Sequence, residues 1–189
     1  MKRLIVGISG ASGVILGIRL LEAIRDRVES HLVLTPSAKK IVSLETSRRV
    51  EEIESAATFV HDSEDLTASI SSGSFQTEGM VVIPCSIKTL SAIANSYNDN
   101  LLIRAADVTL KERRRLVLVV RETPLHLGHL RLMTEASEMG AVILPPVPGF
   151  YCLPKTIDDV IDHTVGKALD LLGIEHNLYP RWEGTRVPK

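Results

Sequence analysis

A doubly wound parallel sheet covered by helices on both faces is the fold class that the sequence predicts. Short, uniformly apolar runs alternate with helical patterns along the whole chain, as expected for strands buried on both sides of a parallel sheet. Nearly every such run also ends in Gly, Ser, Thr, Pro or a charged residue, which sets a polar rim along the carboxyl edge of the strands. The class is α/β, Rossmann-like or flavodoxin-like. The 189 residues suit a single domain spanning 1–189, with an irregular tail from about 174 to 189.

Residues 4–8 make a buried strand, and 14–27 an amphipathic helix with Ile15, Ile18, Leu21 and Ile24 on one side. Residues 31–34 form a second strand, followed by a helix from about 37 to 44. A weaker strand pattern lies at 58–60. Residues 80–83 are strand-like and 87–95 helical; 101–114 follow as a helix, 116–120 as a strand and 125–139 as a helix. Residues 141–144 are the last strand, and 157–172 the last long helix. The tail, with Pro180, Trp182, Gly184 and Pro188, is irregular and suited to reaching another subunit.

Composition excludes several function classes. The net charge of -1 gives no global field toward nucleic acid or an anionic membrane, and 4% aromatics gives no stacking platform for single strands. The opening apolar run meets Gly10 and Gly13 before a charged helix, without a small-residue cleavage site. No stretch approaches the roughly 20 apolar residues that span a bilayer. Cys85 and Cys152 lie far apart without CxxC spacing, so neither a disulfide framework nor a thiolate zinc site is indicated. The expectation is a cytoplasmic protein that binds neither nucleic acid nor membrane.

In such sheets ligands bind outside the carboxyl ends of the strands. The first loop, Gly7-Ile-Ser-Gly-Ala-Ser-Gly13, sets small residues and hydroxyls at a helix start, where free N–H groups and the helix dipole favour a phosphate. It lacks the GxGxxG spacing, and no acidic residue closes the second strand to hold a ribose, so a mononucleotide fits better than a dinucleotide. A glycine-rich turn that only packs helix on strand explains the same residues. Pro84-Cys-Ser-Ile-Lys-Thr89 offers a second helix start, with Ser86 and Thr89 as donors; an ordinary cap at Ser86 is the plainer explanation.

Cations are the next clue. Arg104 and Lys111 are seven apart, hence on one face of a helix, Arg121 ends a strand, and Lys167 sits on the last helix. Converging on the rim, they would suit an anionic co-substrate. Arg113, Arg114 and Arg115 read instead as a solvated helix end. Asp158-Asp159-Val-Ile-Asp162 matches the DDxxD pattern that holds magnesium diphosphate elsewhere, yet Thr156 as N-cap with acids in the first turn explains it locally. His126-Leu-Gly-His129 has neither a thiolate nor a Glu at metalloprotease spacing. With neither pattern pointing to a metal ion, the expected chemistry is metal-free.

Taken in register, these segments resemble the UbiX flavin prenyltransferases. The match is carried by Gly7 to Gly13, Ser71-Ser-Gly-Ser74, Pro84 to Thr89, Arg104-Ala-Ala-Asp-Val108, Leu110-Lys-Glu-Arg113, Arg121-Glu-Thr-Pro-Leu125 and Pro145-Pro-Val-Pro-Gly-Phe-Tyr151, and it runs to Trp182. The resemblance implies FMN held by Gly10, Ala11 and Ser12, by a hydroxyl after the second strand (Thr35, with Ser37 as alternative), by Ser86, Ile87, Lys88 and Thr89, and by Arg121. It implies a prenyl phosphate site from Arg104, Lys111, Arg121, Glu122, Tyr151 and Lys167, with Trp182 closing it from the tail. Lys167 is often Arg in relatives, which keeps charge but not bidentate geometry. Ser12, Glu45 and Glu122 are the implied proton-handling residues.

The implied reaction joins a dimethylallyl group from dimethylallyl phosphate to N5 and then C6 of reduced FMN, without a metal. The product goes to a UbiD-type decarboxylase, and the resemblance further implies a homo-oligomer, commonly a dodecamer, with sites between subunits. A flavin-dependent cysteine decarboxylase is the nearest rival, but its loop in place of Pro84 to Thr89 differs and the earliest histidine here is His31, inside a strand. A non-catalytic flavin carrier leaves the cations unexplained.

Overall fold

The computed structural model describes residues 1–182 and residue 184; residue 183 and residues 185–189 of the tail lie outside the described residues. Its strands are β1 (Lys2–Ile8), β2 (Val28–Leu34), β3 (Phe59–His61), β4 (Gly79–Cys85), β5 (Arg115–Val120) and β6 (Ala141–Ile143). Its helices are α1 (Val14–Ile24), α2 (Pro36–Glu45), α3 (Val50–Glu54), α4 (Ile87–Ala94), α5 (Leu101–Lys111), α6 (Leu127–Glu138) and α7 (Ile157–Leu171), with one 3-10 turn at Ser69–Ser71.

The sheet is wholly parallel, in the order β3-β2-β1-β4-β5-β6. From β1 the chain winds outward to β2 and β3, then returns to place β4 on the other side of β1. The reversal opens a crevice between the carboxyl ends of β1 and β4, the position at which such sheets bind ligands.

Alternation along each strand divides the core in two. Leu4, Val6 and Ile8 of β1 face the side covered by α1, α2, α3 and α7, together with Leu32, Val81 and Val117. Ile5 faces the side covered by α4, α5 and α6, together with Val33, Met80, Val82 and Leu116. The interiors of β1, β4 and β5 are therefore apolar on both faces, which is why these runs show no polar alternation.

The sequence places the elements correctly and errs at their edges. β2 begins at Val28, not residue 31, and α1 ends at Ile24. Ile15 is 38% exposed, while Val14, Leu16 and Leu20 are buried in its place. The short α3 went unpredicted; Arg49 and Glu52 hold its first turn. The arginine run is not simply solvated: Arg114 donates to the carbonyls of Gly73 and Phe75, both at 2.6 Å, and Arg115 to that of Leu171 at 2.7 Å. A guanidinium supplies several fixed donors, so these side chains tie loops that sequence separation conceals.

Candidate functional site

A cleft of about 500 Å³ opens at the switch point, bounded by Gly10, Thr35, Pro36, Ser37, Ser86, Lys88, Thr89 and Glu122. Ile87, Glu64, Asp99, Asn100 and Ile103 complete its wall. A wider concavity of about 750 Å³ lies at the other, amino edge of the sheet, lined by the three arginines, Glu78 and Asp170. Two of those arginines are already spent on carbonyls, so the switch-point cleft is the chemically open one.

The end of β1 is fastened to the start of α4. The buried Ser9 hydroxyl donates to the Pro84 carbonyl at 2.9 Å and accepts the Ser86 N–H at 2.8 Å. Ser86 then caps α4: its Oγ accepts from the Thr89 N–H at 3.2 Å and donates to the Thr89 hydroxyl at 3.1 Å. The helix start faces the cleft with its remaining N–H groups and its positive dipole end, which suits a phosphate.

Across the cleft, Gly10 packs against α2. A Cβ on Gly10 would stand 2.4 Å from the Ser37 Cβ, so only glycine allows the approach. Thr35 is committed as the α2 N-cap, accepting from the Ala38 N–H at 3.2 Å, whereas the exposed Ser37 stands beside Gly10. Both hydroxyls of the sequence alternative line the cleft. Ala11 is buried and Ser12 half-buried in the same loop. Glu45 reaches back to the loop and accepts the Gly13 N–H at 2.8 Å.

Glu122 lines the cleft, its carboxylate accepting the Thr123 N–H at 3.0 Å, and Arg121 beside it is exposed, its own N–H bound to the Cys85 carbonyl at 3.0 Å. Burial pushes the Cys85 thiol well above the ordinary range, so it acts as core and not as a nucleophile. His31 is buried and bonded to His61 at 3.0 Å and Glu29 at 3.1 Å, away from the rim.

The remaining cations do not converge within one chain. Arg104 donates to Asp107 at 3.1 Å and to the Ser71 carbonyl at 3.2 Å. Lys111 is paired with Glu112 at 2.5 Å beside Gly73, seven residues farther along α5. Lys167 belongs to α7, on the opposite face of the sheet. Near it, the Tyr151 hydroxyl meets His163 Nε2 at 2.8 Å, and the Tyr151 ring meets Trp182 edge-on at 6.1 Å. Burial, and then the charge of Lys167, lower the His163 imidazole pKa. The network of Asp170, His176, Tyr179 and Arg181 beyond it was missed at the sequence level.

Asp159 is the second half of an α7 capping box, accepting from the Lys155 and Thr156 N–H groups, and Asp162 pairs with Arg19 at 2.6 Å. His126 accepts from the Gly128 N–H at 3.0 Å and its ring lies 3.5 Å from that of His129. Among the described residues no group of three or more His, Cys, Asp or Glu is placed to hold a metal ion.

A profile of the flavoprotein family matches residues 1–169. A flavin prenyltransferase UbiX of Salmonella typhimurium is 61% identical over 189 residues, covering 98% of this chain and all (100%) of that one. A UbiX crystal structure in complex with FMN and dimethylallyl pyrophosphate superposes with a TM-score of 0.95 at 47% identity, covering 98% of this chain and 99% of the other. A dodecameric FMN-dependent UbiX-like decarboxylase from Escherichia coli O157:H7 gives a TM-score of 0.94 at 49% identity, over 97% and 100% of the two chains.

Proposed function

Because the chain belongs to the flavoprotein family and, within it, to the UbiX flavin prenyltransferases, we propose that its switch-point cleft holds reduced FMN for prenyl transfer. The activity is that of a prenyltransferase acting on FMN. The observation that carries the reading is the cleft itself, where Gly10, Ser37 and the start of α4 face one space. The flavin phosphate is assigned to Ser86, Ile87, Lys88 and Thr89, because that helix start is open while Glu45 occupies the one at α1.

Transfer joins the dimethylallyl C1 to N5 as its bond to the phosphate oxygen breaks and the N5 proton leaves; in closure the prenyl alkene takes up a proton at C2, its C3 joins C6, and C6 gives up its proton. Gly10, Ala11 and Ser12 with Thr35 or Ser37 hold the flavin from the β1 and β2 side, and Arg121 from the β5 side. The assigned role of Arg104, Lys111, Arg121 and Lys167 is to neutralise the departing phosphate, with Tyr151 and Trp182 as the wall beside it. Glu122, which lines the cleft, is the assigned carrier of a proton at that phosphate or at C6, with Ser12 and Glu45 as further proton-handling residues.

Lys111 ends α5, a helix whose start at Asn100 lines the cleft, and Lys167 lies on α7 across the sheet, so the reading draws this set from more than one chain. The reading therefore includes a homo-oligomer, a dodecamer as in the Escherichia coli O157:H7 relative, whose copies complete one another's sites, with the tail at the contact. A UbiD-type decarboxylase is the proposed recipient of the product. The two free cysteines fit a reducing cytoplasm, the proposed location.

The test is anaerobic incubation with reduced FMN and dimethylallyl phosphate, with the pyrophosphate in parallel, followed by the mass of the extracted flavin. A gain of one five-carbon prenyl unit is expected, and addition of that flavin to a cofactor-free UbiD-type decarboxylase restores its turnover. Unmodified FMN from a protein that still binds it overturns the reading.

A further inference from the structure

We propose that Asp170 is a positioning residue: it latches the C-terminal tail onto α7 and thereby sets where Trp182 stands against Tyr151. The inference rests on the reading above, in which Tyr151, Lys167 and Trp182 form part of the prenyl phosphate site.

The tail turns back at Gly173 and lies along the helix it has just left. Helix interiors disfavour glycine, yet α7 carries Gly166 within its length. The reason is a notch: a Cβ there would come within 2.6 Å of both the His176 and the Tyr179 rings. One turn on, and so on the same face, stands Asp170. Its carboxylate accepts from the Tyr179 hydroxyl at 2.5 Å, from Arg181 at 2.5 Å and from His176 Nε2 at 3.1 Å. The Leu178 N–H donates to His176 Nδ1 at 3.2 Å, which leaves the ring proton on Nε2 and makes His176 a donor to Asp170.

One carboxylate thus gathers three tail residues, the last of them adjacent to Trp182. Trp182 is 63% exposed and is not itself buried in any core, so its place against Tyr151 follows from the anchored residue before it. Tyr151 is held in turn by His163, one turn before Lys167 on α7. Latch, aromatic pair and cation make one continuous patch. Although burial alone would raise the carboxyl pKa, the Arg181 and Tyr179 hydrogen bonds hold it lowered to about 2, so the latch is charged throughout the working range.

Trp182 is the single tryptophan of the chain, so intrinsic tryptophan emission reports this position alone. In the full-length oligomer, Asp170→Asn and Gly166→Ala are expected to shift that emission and raise KM for dimethylallyl phosphate about tenfold, with FMN Kd within about twofold of the parent. Tyr179→Phe, which removes one hydrogen bond and little volume, moves both readouts the same way by less, and covers the case in which the other variants do not fold. Unshifted emission, or shifted emission with an unchanged KM, overturns the latch. A parent protein that binds FMN but does not prenylate it overturns the functional reading instead, and the emission measurement still decides whether Asp170 places Trp182.

Discussion

The carboxylate of Glu45 accepts the backbone N–H of Gly13 at 2.8 Å, so the last residue of α2 closes onto the first turn of α1. Gly13 sits at φ 95°, a left-handed conformation that glycine adopts without strain and that aims its N–H at the carboxylate. A negative group thereby occupies the positive end of α1. The loop chemistry alone suggests a phosphate there; the proposed reading assigns it instead to the start of α4, opposite.

Replacing Glu45 tests that division of labour. Glu45→Ala removes an exposed acceptor, and is expected to lower stability by about 0.5–1.5 kcal/mol in urea unfolding. Glu45→Gln keeps an acceptor oxygen, so FMN titration should give a Kd within about threefold of the parent, under 1 kcal/mol. If Glu45 handles a proton, the same variant slows flavin prenylation well beyond that change; equal losses in binding and turnover would assign it to the loop only.

Gly10→Ala is expected to impair flavin binding before it impairs folding. The added Cβ meets the Ser37 Cβ at 2.4 Å, an atom fixed close to the backbone of α2, so the helix start must move away from the cleft. Overpacking of this kind costs about 1–3 kcal/mol. Flavin titration should show at least a tenfold weaker Kd, about 1.4 kcal/mol, with a cooperative thermal transition retained. Undiminished affinity would mean that the cleft does not hold the flavin.

Ser9→Ala should be worse for the fold than its size suggests. The hydroxyl is fully buried and serves both Pro84 and Ser86, so its loss takes the acceptor from the half-buried Ser86 N–H and leaves the Pro84 carbonyl with the Ser9 N–H at 3.2 Å. The unpartnered N–H costs about 1–3 kcal/mol. Urea midpoints of parent and variant check this, and a change within about 0.5 kcal/mol contradicts the assigned pairing.

These contacts also show where sequence reading stops. Leu4 to Ile8 or Leu116 to Val120 announce buried strands because burial on both faces leaves no polar position, and hydroxyls at Thr35, Ser86 and Thr89 follow from the rule that strand ends bind ligands. Glu45 and Gly13 are 32 residues apart, and nothing local in either predicts the bond. Asn100 and Glu64 enter the cleft from loops whose path depends on packing. That Arg104 and Lys111 stand on one side of the sheet and Lys167 on the other was not legible, because periodicity assigns a residue to a helix face, but not a helix to a side of the sheet.

The acid limb of stability should depend on Asp170. Burial raises its pKa, but the bonds from Arg181 and Tyr179 outweigh that, and the folded value falls from 3.8 to about 2. A depressed carboxylate contributes stability that is complete above the unfolded value and is lost as pH falls through the folded one. The contribution is therefore constant from neutral pH to about 4 and disappears between about 4 and 2. Urea unfolding across that window should fall more steeply for the parent than for Asp170→Asn, and parallel curves would remove Asp170 from the acid response.

A phosphate held by cations from both faces of the sheet makes mixed assemblies informative. Lys111 ends α5, on the side packed by Leu101, Leu102 and Ala105, while Lys167 lies on α7, on the side packed by Val165 and Leu169. Lys111 stands at the far end of α5 from Asn100 at the cleft wall, and Lys167 across the sheet, so in this reading a phosphate touching both receives them from different copies. Lys111→Ala and Lys167→Ala homo-oligomers are each expected to lose most prenyl transfer, since a charge-assisted contact contributes about 1.5–3 kcal/mol. Unfolding and refolding the two variants together creates some sites with neither defect, because each defective residue then belongs to a different subunit. Flavin mass analysis should detect restored product in the mixture and not in either variant refolded by itself. If both lysines served the site from one chain, every site in the mixture would carry a defect and no activity would return.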